Sequence, residues 1–171
     1  MAGNQNVRIA LDKVGNELDE ALAQEIVRQG HNLTGKLIES IDHKVNEVIG
    51  SLELVGEFED YGVFVDRGVK AQNIPFSPGS GNRRSKYITG LINWAKIKFS
   101  VDVKRARGIA FAIAHTHLRT GMPTRGKDFT GFLTKTLERK QDRITDILDK
   151  ANADDIEFAI INIVRNNTVK L

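Results

Sequence analysis

The chain has 171 residues, 40% of them hydrophobic and 27% charged, which suits one folded domain with a core of its own. It contains no cysteine, so a disulfide scaffold, thiolate metal sites and a cysteine nucleophile are excluded. No apolar run approaches the roughly 18 residues of a membrane helix, and the polar residues 1–6 lack the basic-then-apolar layout of a signal peptide. The expectation is a soluble protein, cytoplasmic or bound to a particle.

Charge is spread unevenly. The net charge is +3, yet residues 67–127 hold thirteen Lys and Arg against one acid, Asp102, while the rest holds twelve basic and twenty-one acidic residues. Such polarity serves two solvated faces that attract each other or a neighbouring subunit. It equally serves a surface for phosphate or an acidic partner.

Residues 1–6 read as a frayed start. Over 7–29 the apolar positions Leu11, Val14, Leu18, Leu22 and Ile26 recur every three to four residues, predicting one long amphipathic helix. Gly30 is placed to end it, and Gly15 gives it a point of bending. Its acids, Asp12, Glu17, Asp19, Glu20 and Glu25, read as a solvated face. Thr34 can cap a short helical turn over 35–40. Residues 41–49 and 51–58 then alternate with a two-residue period, with Gly50-Ser51 as the turn of a β-hairpin.

From Asp60 to Gly68 the chain changes character. Its pattern fits a third strand or a short helix equally. Tyr61, Phe64 and Val65 are expected to pin this stretch to the hairpin and first helix, with Gly68 releasing a long loop that runs to about Arg84. Trp94 is likewise expected in the core. Tyr87, Ile88, Leu91, Ile92, Ala95 and Phe99 predict a second helix. Asp102 is placed to cap a third, whose Ala106, Ala110 and Ala114 offer a close-packing face that Gly121-Met122-Pro123 brings to an end. A further amphipathic helix follows over 130–150. Residues 154–165 favour another helix, though their β-branched content also suits a strand.

None of the candidate constellations carries catalysis. His115 and His117 sit two apart on a helix and point to different faces, so they do not form a chelating pair. The loop 78–84 lacks the Gly-Lys-Ser/Thr ending of a phosphate-binding loop, and no serine sits in a nucleophile elbow. No enzyme activity, cofactor or metal is expected. The chemistry lies in the basic run. Arg83, Arg84 and Lys86 precede one helix, Lys96 and Lys98 end it, and Lys104, Arg105 and Arg107 begin the next. Cations at a helix start oppose its dipole, so they favour a partner over helix stability. Attraction to phosphate would be non-specific and salt-sensitive. No recognition-helix pattern is present, and aromatics for base stacking are few.

Leu33-Thr34-Gly35-Lys36-Leu37-Ile38-Glu39-Ser40-Ile41 is followed by a hairpin, then by Tyr61-Gly62-Val63-Phe64-Val65-Asp66-Arg67-Gly68 and an Ile74-Pro75-Phe76 loop. This order of segments resembles the tail-completion (neck, or head–tail joining) proteins of tailed bacteriophages. The segments Leu91-Ile92-Asn93-Trp94-Ala95 and Ile109-Ala110-Phe111-Ala112-Ile113-Ala114, with Gly121-Met122-Pro123, are similar to longer members. The likeness covers most of residues 8–150. The sequence departs from the pattern at Asn32-Leu33, where a proline is usual, and at Arg67 and Val69.

The resemblance implies an α+β fold: a long N-terminal helix packed on a small, hairpin-based antiparallel sheet, followed by several C-terminal helices. It implies a single domain over 1–171, with a helix-plus-hairpin core (7–68), a long loop (69–86), a helical part (87–166) and a tail (167–171). It also implies a structural virion protein, assembled in the host cytoplasm, that forms a homo-oligomeric ring around the DNA channel. Its partners would be portal or connector proteins and tail proteins. Arg83, Arg84, Lys86, Lys104, Arg105 and Arg107 are then the expected contacts to subunits or channel DNA. The alternative expectation is a small non-specific nucleic-acid-binding protein. No membrane partner is expected.

Overall fold

The computed structural model describes residues 5–49, 51–79, 85–123 and 129–168, with the backbone alone from 162 onward. The fold is α+β: a long N-terminal helix, one two-stranded antiparallel sheet and several C-terminal helices. The chain forms two compact units from interleaved segments. The first comprises Met1–Glu25, Leu37–Glu59 and Leu133–Leu171; the second comprises Ile26–Lys36 and Asp60–Phe132.

The first unit is built on helix α1 (Gln5–Arg28), whose apolar stripe buries Ala10, Leu11, Val14 and Leu22. Each large side chain so buried contributes about 1.5–3 kcal/mol. After a single turn, α2 (Lys36–Glu39), strands β1 (Asp42–Val48) and β2 (Ser51–Glu57) pair antiparallel, with Val45 opposite Leu54 and Val48 opposite Ser51. That register puts Ser51 inside β2 opposite Val48 and not in the turn expected at Gly50-Ser51; Gly50 lies outside the described residues. Ile49 takes a left-handed conformation (φ 38°) and is fully exposed. Alternation holds as expected: His43, Val45, Leu52 and Leu54 are the more buried side chains, while Asp42, Lys44 and Glu53 face outward.

Residues 132–168 form one helix, α6 (Phe132–Thr168), where the sequence suggested two. No glycine or proline interrupts this span, so Ala151-Asn152-Ala153 carries the helix through. Ala151 is buried there.

The second unit begins with the end of α1. Gly30 N–H bonds Val27 C=O (2.9 Å) and His31 N–H bonds Ile26 C=O (3.0 Å), the paired bonds of a Schellman ending. Its main body is a helical hairpin of α4 (Lys86–Phe99) and α5 (Val103–Thr120). Asp102 caps α5 as expected, accepting Arg105 N–H at 2.8 Å. Ala106, Ala110 and Ala114 are all fully buried. Small side chains at this spacing let two helices approach closely.

The change of character at residues 60–68 resolves as a short helix, α3 (Gly62–Arg67), with Gly62 and Asp66 as its buried side. Phe64 lies half a helical turn from that side and stands 63% exposed, and Tyr61 is exposed as well. Both are corrections to the core positions expected of them. Trp94 is half-buried, with its ring edge-on to Phe99 at 5.5 Å. Nor does Gly68 release the chain. Val69 and Met122 exchange both backbone hydrogen bonds (2.9 and 2.8 Å), a 3-10 turn follows at Ala71–Asn73, and Ile74 is buried.

Candidate functional site

The basic residues come first, because sequence singled them out. Lys96 and Lys98 occupy the last turn of α4, and Lys104, Arg105 and Arg107 occupy the first turns of α5, two residues past Ser100 and Val101 at the corner. All five are exposed, and none forms an ion pair among the described residues. One acid, Asp102, shares the corner, and its carboxylate is engaged in capping. The fold therefore gathers these five cations at one end of the helical hairpin.

Lys86 is not part of that cluster. It begins α4, beside Tyr87, whose hydroxyl bonds His117 near the far end of α5. Fourteen helical residues separate it from the corner, roughly 20 Å at about 1.5 Å per residue. Arg83 and Arg84 lie outside the described residues.

Both histidines of α5 have defined surroundings. His115 is exposed and meets Phe76 edge-on at 5.2 Å. His117 is buried, contrary to a surface role. Its Nδ1 and the Tyr87 hydroxyl share a hydrogen bond at 2.6 Å. Burial lowers the His117 pKa and pushes the Tyr87 hydroxyl up to about 12, which favours a neutral partner on each side of that bond.

The acids of α1 are engaged far more than a solvated face would be. Glu25 is fully buried and accepts the Arg139 guanidinium at 2.6 Å, while Glu17 accepts Arg143 at 3.2 Å. Asp19 accepts Nδ1 of His43 at 2.6 Å, and Asp12 lies 3.4 Å from its Nε2. Gly15, between the two aspartates, leaves the space that the His43 ring fills; a Cβ there would collide with the imidazole. Sequence reading missed this group, since its partners lie on separate elements. The visible trace was a glycine in mid-helix between aspartates at i−3 and i+4.

Asp19, Asp42 and His43 also bring possible ligand atoms within 4.8 Å of one another, the one such group among the described residues. Their present arrangement suits a proton better than a cation. Both ring nitrogens of His43 face carboxylates, which accept only, and such neighbours favour a proton on each nitrogen. Asp42 is exposed, and its carboxylate turns back to accept the His43 backbone N–H at 2.9 Å.

A second surface feature is apolar. In the second unit Phe64, Ile97, Phe99 and Val103 are exposed. In the first, Ile49, Ile156, Phe158 and Ile160 are exposed, and a shallow groove along α6 is lined by Leu133, Leu137 and Ile144. Exposed apolar groups that join into one patch mark contact surfaces, whereas singly exposed ones are ordinary.

No protein-family model, curated protein or solved structure matches the chain.

Proposed function

We propose that this protein is a structural assembly subunit, a neck or head–tail joining protein of a tailed bacteriophage, working in a homo-oligomeric ring between portal and tail. The observation that carries the reading is the exposed apolar surface of both units. Ile156 and Phe64, from different units, are 61% and 63% exposed. Together with the resemblance in motif order, this supports a chain whose burial is completed by neighbours. A ring needs head-to-tail contacts between unlike patches. The exposed apolar residues and the cations of the α4–α5 corner, which form no ion pair among the described residues, supply two kinds of patch. Among the described residues no third strand joins the β1–β2 hairpin, so its edges can pair with another chain.

The cation cluster also favours a second reading, non-specific binding of nucleic acid by the isolated subunit. One experiment separates the two. The purified protein is imaged as particles, weighed in solution and titrated with duplex DNA at low and high salt. Rings without DNA affinity support the neck reading. A strict monomer at high concentration that binds DNA tightly, with affinity falling steeply as salt rises, overturns it.

A further inference from the structure

Asp12, Gly15 and Asp19 share one face of α1, spaced by three and four residues. The His43 ring of β1 lies against that face, in the space left by the missing side chain of Gly15. Nδ1 donates to Asp19 at 2.6 Å, and Nε2 points to Asp12 at 3.4 Å. The His43 side chain is only 11% exposed. One hydrogen bond to a carboxylate and a second carboxylate within ion-pair distance of the other nitrogen both favour the ring that carries a proton on each nitrogen and hence a positive charge.

We propose that the His43 imidazolium is a proton-operated latch that fastens the β1–β2 hairpin to α1. Its surroundings give the proton that role. From α1 the ring faces Asp12 and Asp19. From its own strand Asp42 lies close, and its cross-strand neighbour is Gly56, which has no side chain. Nearby cations are occupied elsewhere: Lys44 pairs with Glu57, and Arg8 donates to the Val45 carbonyl. The described charges around the ring are therefore carboxylates. Loss of one proton leaves a neutral ring that serves one carboxylate and turns a lone pair toward the other.

Among the described residues the sheet has two strands and no third, so side-chain contacts such as that of His43 position it. The bond to Asp19 is the chief cause that raises the His43 pKa above its ordinary 6.5, with Asp12 adding to it. A group whose folded pKa is raised stabilises fully below its unfolded value and loses that effect as pH rises through the folded value. The latch is thus closed in mild acid and opens on the alkaline side of 6.5.

The test is backbone hydrogen exchange of the full chain at a series of pH values, corrected for intrinsic rates, with the α4–α5 hairpin as internal reference. Protection of residues 42–57 is expected to fall about tenfold through the His43 titration, as loss of roughly 1.4 kcal/mol requires, while α4 and α5 keep theirs. The ring titration itself is followed by NMR. His43→Gln should give a hairpin whose protection no longer varies with pH. Asp12→Asn, at an exposed position, leaves folding intact and should lower the ring's titration midpoint. Three results would overturn the latch: hairpin protection that does not vary with pH in the native chain, a His43→Gln profile like the native one, or a midpoint at or below 6.5. Protection that follows added zinc and ignores pH would also overturn it, because the cluster would then be a cation site.

Discussion

The carboxylate of Asp155 in α6 accepts the backbone N–H of Val7 at 3.1 Å and, through its other oxygen, that of Asn6 at 3.2 Å. Helix α1 has no acid in its own first turn, so its first donors are met from 148 residues away. A buried carboxylate there also meets the positive end of the helix dipole. Asp155→Ala should cost about 1–2 kcal/mol, the range for loss of a capping acceptor. Asp155→Asn keeps one acceptor oxygen and should cost less. Chemical denaturation gives the magnitude, and faster hydrogen exchange confined to the first turns of α1 gives the location.

Glycine substitutions should divide by what a new methyl group meets. Gly108 lies within α5 with nothing in reach of a Cβ, so Gly108→Ala should stabilise by up to about 1 kcal/mol through helix propensity. Gly15 is also helical, but a Cβ there runs into His43. Overpacking outweighs propensity, and Gly15→Ala should destabilise by about 1–3 kcal/mol. Gly68 has φ 70° and a Cβ would strike the Met122 carbonyl, so Gly68→Ala is strained twice over. Urea melts of the three variants test the order. Adding His43→Ala to Gly15→Ala should recover stability, because the colliding ring is gone.

Elements with regular spacing were legible in the sequence. The stripe Leu11, Val14, Leu22 on α1 and the alanines of α5 are buried as their spacing requires, and Asp102 and Gly30 act where their chemistry placed them. Contacts between distant segments were not legible. Nothing near Asp155 in sequence announces Val7, and His43 gives no local sign of Asp19. Asp19 therefore read as part of a solvated face. The stretch around Phe64 misled for another reason. Its aromatics suggested a core, but in so short a helix the buried side is set by Gly62 and Asp66. Of the basic residues, Lys104, Arg105 and Arg107 share the corner with Lys96 and Lys98, while Lys86 stands at the other end of α4, a separation that the helix length alone requires.

The basic corner makes a prediction in which stability and binding move apart. Lys104, Arg105 and Arg107 sit at the positive end of α5 and form no ion pair among the described residues. Replacing all three with glutamate should leave the melting temperature unchanged or raise it, since acids favour a helix start by about 0.3–1 kcal/mol each. Binding to the partner should be lost. Loss of rings in particle images would locate these residues at a subunit contact. Rings that assemble but retain DNA poorly would locate them at the channel.

The pair Tyr87 and His117 predicts an acid limit to stability. The buried ring is neutral, with Nδ1 taken up by the tyrosine hydroxyl at 2.6 Å. Its pKa is lowered by burial, so the unfolded chain binds the proton more readily than the folded one. The sign is opposite to that of His43: this contribution is complete above the ordinary 6.5 and is lost as pH falls through the lowered folded value. Tyr87→Phe removes the hydroxyl and leaves a buried ring nitrogen unmet, at a cost of about 1–3 kcal/mol. Denaturation of the native chain from pH 8 to about 4 should show stability falling on the acid side, with other carboxylates adding to the slope at the low end. Following the His117 ring by NMR isolates its share. A His117 midpoint above 6.5 would contradict the neutral, buried ring, and an unchanged melting point in Tyr87→Phe would show that the hydroxyl contributes nothing.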